Sequence, residues 1–128
     1  MATIITNPQD AYAAIKPLIS RTEQEEVFII ALGCNHNVKS VKLAAIGDID
    51  ATVFPKRYIY QQLCIDGAVS AILAHTHPSG NPKPSNADIK ATRELQEGLK
   101  TLGITLCDHI IIGDGKIFSF DSDSVITI

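Results

Sequence analysis

His75 and His77 stand two residues apart at the end of the run A-V-S-A-I-L-A-H-T-H, residues 68–77. Alternate side chains of an extended chain leave the same face, so both imidazoles can converge on one point. That geometry suits a metal-ligand pair and equally two packed, hydrogen-bonded histidines, so a third ligand has to decide. Asp88 follows in the first turn of what reads as a helix, with Ser85 three residues before it. Those two have capping-box spacing, which alone would account for them. At about 100° per residue, however, Leu95 and Leu99 fall within roughly 20° of Asp88, so the carboxylate lies on the stripe that faces the core. An unpaired carboxylate there costs roughly several kcal/mol, and a cation shared with two imidazoles removes that cost. His75, His77 and Asp88 are therefore expected to ligate a metal. Two imidazoles and a carboxylate make the open zinc set that leaves a position for water, whereas structural zinc sites are closed and thiolate-rich. The expected cofactor is Zn2+, and the expected chemistry is hydrolysis by a metal-activated water.

Such hydrolysis needs a base that takes a proton and returns it. Glu23, Glu25 and Glu26 stand at the start of the run E-V-F-I-I-A-L. Glu26 shares parity with Phe28, Ile30 and Leu32 and is expected to point toward an internal site, with its two neighbours facing solvent.

The elements that must position these groups can be read along the chain. Asn7-Pro8 starts a helix that runs to about residue 20. Residues 26–32 are rich in strand formers, Asn35 to Asn37 turns the chain, and residues 38–46 form a second strand with Val41, Leu43 and Ala45 on one face. Residues 47–50 break it. Pro55 opens a helix that Gly67 closes. Residues 68–77 are apolar on both parities up to the histidines, as in a central strand covered on both sides. Residues 78–84 are a loop, residues 85–102 the best helix in the chain, and residues 104–112 with 116–120 a hairpin around G-D-G. Helices alternating with strands give an α/β (α+β) class with a small mixed central sheet flanked by helices.

The chain has 128 residues, 45% of them hydrophobic and 20% charged, which suits one domain over residues 1–128. A net charge of −3 removes the cationic surplus that drives non-specific nucleic-acid binding. Apolar runs fall far short of the ~20 residues a spanning helix needs, and no targeting segment opens the chain. Cys34, Cys64 and Cys107 lack C-x-x-C spacing and are odd in number, which points to a reducing, cytoplasmic setting.

The segment H-T-H-P-S-G-N-P-K-P-S-N-A-D, residues 75–88, resembles the JAMM signature of MPN-domain metalloproteases, most of all the bacterial RadC-like branch. E-V-F at residues 26–28 and D-H-I-I-I-G at residues 108–113 extend the resemblance over residues 26–120. It implies an MPN-like fold, zinc held by His75, His77 and Asp88, Glu26 as the acid/base that activates water, and Ser85 as the group that stabilises the oxyanion. It also implies a peptide or isopeptide substrate. The pattern departs at Thr76, where the branch usually has Asn. It departs again at Pro55-Lys56-Arg57, where the branch has P-R-E. The N-terminal helix-hairpin-helix module common in the branch is absent, so DNA contact through it is not expected.

Other residues take plainer readings. Asp108 and His109 are either a hydrogen-bonded pair at a strand entry or a support behind the metal ligands. His36, Lys56, Arg57 and Lys83 are solvated surface, and Cys64 and Cys107 are small buried hydrophobes. The loop 78–84 can serve as a substrate lip. An amidohydrolase barrel needs a longer chain, a metallo-β-lactamase site continues with acidic and histidine residues after the pair, and a cupin has no long helix. The leading expectation is a zinc metallohydrolase of the JAMM type acting on a protein or peptide. The alternative is a zinc-retaining, non-catalytic binding module in DNA repair, against which the charge weighs. Neither nucleic acid, by this domain alone, nor membrane is expected as a partner.

Overall fold

In the computed structural model the described residues are 3–21, 23–47 and 54–128. Asn7 caps the first helix, α1 (Pro8–Ile15), by accepting the Asp10 N–H at 2.8 Å. α1 ends before residue 20 because Pro17 has no N–H to continue the ladder, and the chain closes in a short 3₁₀ turn at Lys16–Leu18.

Strands β1 (Glu26–Leu32) and β2 (Val38–Ile46) occupy the expected spans and pair antiparallel. Their connection needs left-handed backbone at Asn35 and His36, with φ of 63° and 59°. Two register shifts interrupt the pairing: Val27 faces Ala45 but Phe28 faces Leu43. Skipping Ala44 reverses the parity, so Val41 and Leu43 share one face while Ala45 lies on the other, unlike the single face expected. The expected break after β2 begins at Gly47, and residues 48–50 lie outside the described residues.

Helix α2 (Lys56–Ile65) buries Ile59 and Leu63, one turn apart. Cys64, the next residue round the helix, is exposed and not a buried hydrophobe, and Cys107 is half-buried. Gly67 adopts φ +63° and donates its N–H to Cys64 O, ending the helix as its sequence position suggested. Strand β3 (Ser70–Thr76) is buried throughout. It is followed by α3 (Asn86–Thr101), β4 (Thr105–Ile112), β5 (Lys116–Ser119) and β6 (Ser124–Thr127). The sequence reading missed β6: four residues after an Asp-Ser-Asp segment carry too little periodicity, and its partner β5 supplies the order.

The strands form one six-stranded sheet in the order β2-β1-β3-β4-β5-β6. Among the described strands only β3 and β4 run parallel, and α3 is the crossover their direction demands. On one face Val27, Ile29, Ala31, Ala71 and Leu73 pack with Ile59 and Leu63 of α2 and Leu95 and Leu99 of α3. On the other, Phe28, Ile30, Leu32, Ile72 and Ala74 pack with Ala11 and Ile15 of α1. This two-sided cover explains why β1 and β3 show no polar alternation. Among the described residues no helix is long and apolar enough to cross a membrane.

The loop after β3 is tied to the turn between β4 and β5. His77 N–H bonds to Ile112 O at 2.9 Å, Gly80 N–H to His77 O at 3.0 Å, and Asp114 N–H to Gly80 O at 2.8 Å. Gly113 is the tight point, because a Cβ there would stand 2.4 Å from Gly80 O and 2.9 Å from Pro82 Cδ. Backbone cannot swing aside as a side-chain tip can. We expect Gly113→Ala to lower stability by about 1–3 kcal/mol in urea denaturation, through displacement of this loop.

Candidate metal centre

His75 pairs with Val27 across the β1–β3 ladder, and both look to the face covered by α3. His77 follows just beyond the strand end with the same parity. Ser85 caps α3 by accepting the Asp88 N–H at 3.0 Å, and Asp88 Oδ2 accepts the Ser85 N–H at 2.8 Å. The capping box and the inward stripe are therefore both real, and Asp88 is only 2% exposed beside fully buried Leu95 and Leu99. One carboxylate does two jobs.

The three residues meet. His75 Nε2 lies 2.9 Å from His77 Nε2. Asp88 Oδ1 is 3.2 Å from the first of these atoms, and Oδ2 is 3.2 Å from the second. Donor atoms of a tetrahedral zinc, each about 2.0–2.2 Å from the ion, lie roughly 3.3–3.5 Å apart, so this set needs to spread by only a few tenths of an ångström. His77 Nδ1 donates to Asn81 O at 2.9 Å, which in a neutral ring leaves a lone pair on Nε2. A proton or a cation must sit among these electron-rich atoms, and the donor types fit a divalent metal.

The structure does not bring Glu26 to this cluster. Its side chain is fully buried on the opposite face, where Oε1 accepts Ser20 N–H and Arg21 N–H, both at 3.0 Å, and Oε2 pairs with Arg21 Nη1 at 2.9 Å. Burial pushes this carboxyl up, but the hydrogen bonds from Arg21 and Ser20 outweigh it and hold it below the usual carboxylate range. The parity argument was sound, but the Phe28-Ile30-Leu32 face is the one that meets α1. Glu25 has the parity of Val27 and is the acid near the cluster: its Oε1 is 3.8 Å from His77 Nε2. The candidate ligand atoms of Glu25, His75 and His77 all lie within 4.8 Å of one another. A run buried on both faces gives no hint of which face holds the cluster, so sequence reasoning turned Glu26 rather than Glu25 toward it.

Thr76, of opposite parity to the two histidines, points away from the cluster, and its Oγ1 accepts the Glu26 N–H at 2.9 Å. Asp108 and His109 divide the two readings offered for them. Asp108 ties backbone, accepting His109 N–H at 2.8 Å, Asp121 N–H at 3.0 Å and the Ser119 hydroxyl at 2.7 Å. Burial pushes its carboxyl up. His109 is fully buried, places Nε2 2.7 Å from His75 Nδ1, and meets the Thr92 hydroxyl at Nδ1. Burial drives its basicity far down, so the ring stays neutral. Thr92 was not singled out from the sequence, although four residues from Asp88 it lies roughly 40° round the same helix face.

Electrostatically the cluster favours one shared positive charge. The bond to Asp88 raises the pKa of His77 against the opposing effect of burial. Burial works to raise the Asp88 carboxyl, but the imidazoles of His75 and His77 beside it reverse this and hold it far below the usual range.

The family described as RadC-like JAB domain matches residues 5–125 of the chain. A UPF0758 protein of Methanosarcina acetivorans is 34% identical over 122 residues, which is 95% of this chain and 53% of the relative. A UPF0758 protein of Clostridium acetobutylicum is likewise 34% identical over 122 residues, with the same shares of 95% and 53%. One from Acaryochloris marina is 34% identical over 117 residues, 91% of this chain and 48% of the relative. The chain thus spans about half the length of the curated relatives it matches.

A raised His77 pKa means that the folded chain binds this proton more tightly than the unfolded chain does. The associated stability is complete below the ordinary value of 6.5 and is lost as pH rises through the raised one. A divalent metal held by the same atoms would replace the proton. We expect the gain in Tm on adding zinc to widen from about pH 6 to about pH 8.5, and this widening to vanish in His77→Asn, as read by thermal melts with and without chelator.

Proposed function

Because the chain belongs to the RadC-like JAB domain family, we propose that it is a zinc-dependent hydrolase of amide bonds, with a peptide or isopeptide as substrate. The observation that carries this reading is the convergence of His75 Nε2, His77 Nε2 and the Asp88 carboxylate at 2.9–3.2 Å, with Glu25 at their rim. The ligands are His75, His77 and Asp88. Bound there, zinc supplies a Lewis acid and lowers the pKa of water to about 7.

The chain's own groups do the rest. Glu25 lies close to the histidines while its side chain stays 16% exposed, so it can exchange a proton with water and with a departing amine. Glu26 is poorly suited to that role: its carboxylate is enclosed and already engaged by Ser20 and Arg21. Ser85 accepts the Asp88 N–H through Oγ, which leaves its own hydroxyl proton for the oxygen of a substrate carbonyl as negative charge develops there. The loop 78–84, whose Gly80 is tied to the β4–β5 turn, can serve as a lip for the substrate, and residues 1–128 act as one catalytic unit. Three free cysteines suit a reducing cytoplasm.

The test uses zinc-loaded protein against a panel of fluorogenic peptides and Lys ε-amine-linked branched peptides. Glu25→Gln is expected to keep zinc and lose about 10²–10⁴-fold in hydrolysis. Glu26→Gln is expected to keep hydrolysis within a few-fold of wild type and to lose about 1–3 kcal/mol of stability, as charged hydrogen bonds weaken. Loss of turnover in Glu26→Gln alone returns the acid/base role to Glu26. A zinc-loaded wild type that cleaves nothing in the panel overturns the hydrolase and favours a binding module.

A further inference from the structure

Behind His75 runs a buried chain of contacts that ends on the same helix turn as Asp88. Thr92 Oγ1 lies 2.7 Å from Asp88 O, meets His109 Nδ1 on its other side, and His109 Nε2 lies 2.7 Å from His75 Nδ1. The Asp88 carbonyl can only accept, so the single Thr92 proton goes to it. Thr92 then accepts from His109, whose Nδ1 carries the hydrogen. A fully buried imidazole without a carboxylate partner stays neutral, so His109 Nε2 bears a lone pair and accepts from His75 Nδ1–H. Only this direction gives each of the three relay contacts one donor and one acceptor. Phe120 stacks on the His109 ring at 4.7 Å and 3°, which opposes the flip that would exchange its two nitrogens.

Resting on the metal-centre reading above, we infer that His109 and Thr92 are positioning residues that keep the His75 proton on Nδ1 and present its Nε2 lone pair to the metal. Neither touches substrate. The same carbonyl that anchors the relay belongs to the ligand Asp88, so one turn of α3 sets both the carboxylate and the tautomer of the imidazole facing it.

The readout is the tautomer of each histidine in metal-free, 15N-labelled protein at about pH 8, from long-range 1H–15N spectra, together with zinc affinity by chelator competition. Wild type and Thr92→Ser are expected to show His75 and His109 with Nδ1–H. Thr92→Val is expected to let His75 populate the Nε2–H form and to weaken zinc binding about 10–100-fold, with Thr92→Ser restoring it to within a few-fold. An Nε2 proton on His75 in wild type overturns the inference, as does a folded Thr92→Val with unchanged tautomers and affinity. Should Thr92→Val fail to fold, the wild-type and Thr92→Ser spectra decide. A wild type with the assigned tautomers that binds no zinc overturns the metal reading and leaves the relay standing.

Discussion

Electron pairs forced together inside a protein demand positive charge between them. At the end of β3, two imidazole nitrogens and a carboxylate are held at 2.9–3.2 Å with nothing apolar to separate them. Three unrelated pieces of local structure create this situation. The β1–β3 register aims His75, the pinned loop holds His77 through Asn81 O, and the cap of α3 holds Asp88. Each piece satisfies its own backbone, so the crowding at their meeting point is imposed by the scaffold.

The sidedness of the sheet governs the rest. α2 and α3 cover one face and α1 covers the other, so neighbouring residues at the start of β1 are sent to different environments. Glu26 goes under α1 into a nest of Ser20 and Arg21 donors, where it behaves as a structural anion. Glu25 goes toward the histidines. Identical side chains one residue apart thus acquire different surroundings from the pleat alone.

Much of this could be read from the residues before any coordinates. The Ser85-to-Asp88 spacing and the stripe shared with Leu95 and Leu99 placed the carboxylate correctly, because helical periodicity carries direction as well as identity. Strand β1 lacked such information: a run buried on both faces has no polar side to mark which face meets the histidines, and the glutamate expected beside them lies on the other face. The shortened α1 followed from Pro17, a signal present in the sequence, whereas the bulge at Ala44 and the added strand β6 depend on pairing partners that no local pattern reveals. The contact of His109 with His75 is of this last kind, since it joins residues 34 positions apart.

The Ser85–Asp88 cap has one more consequence. Asp88 is secured by two hydrogen bonds to the start of its own helix, independent of anything bound opposite the histidines. The carboxylate therefore holds its place without leaning on a bound ion, and little conformational entropy would be surrendered if one arrived. A cation held by these three side chains would then be taken up or removed without refolding of the chain.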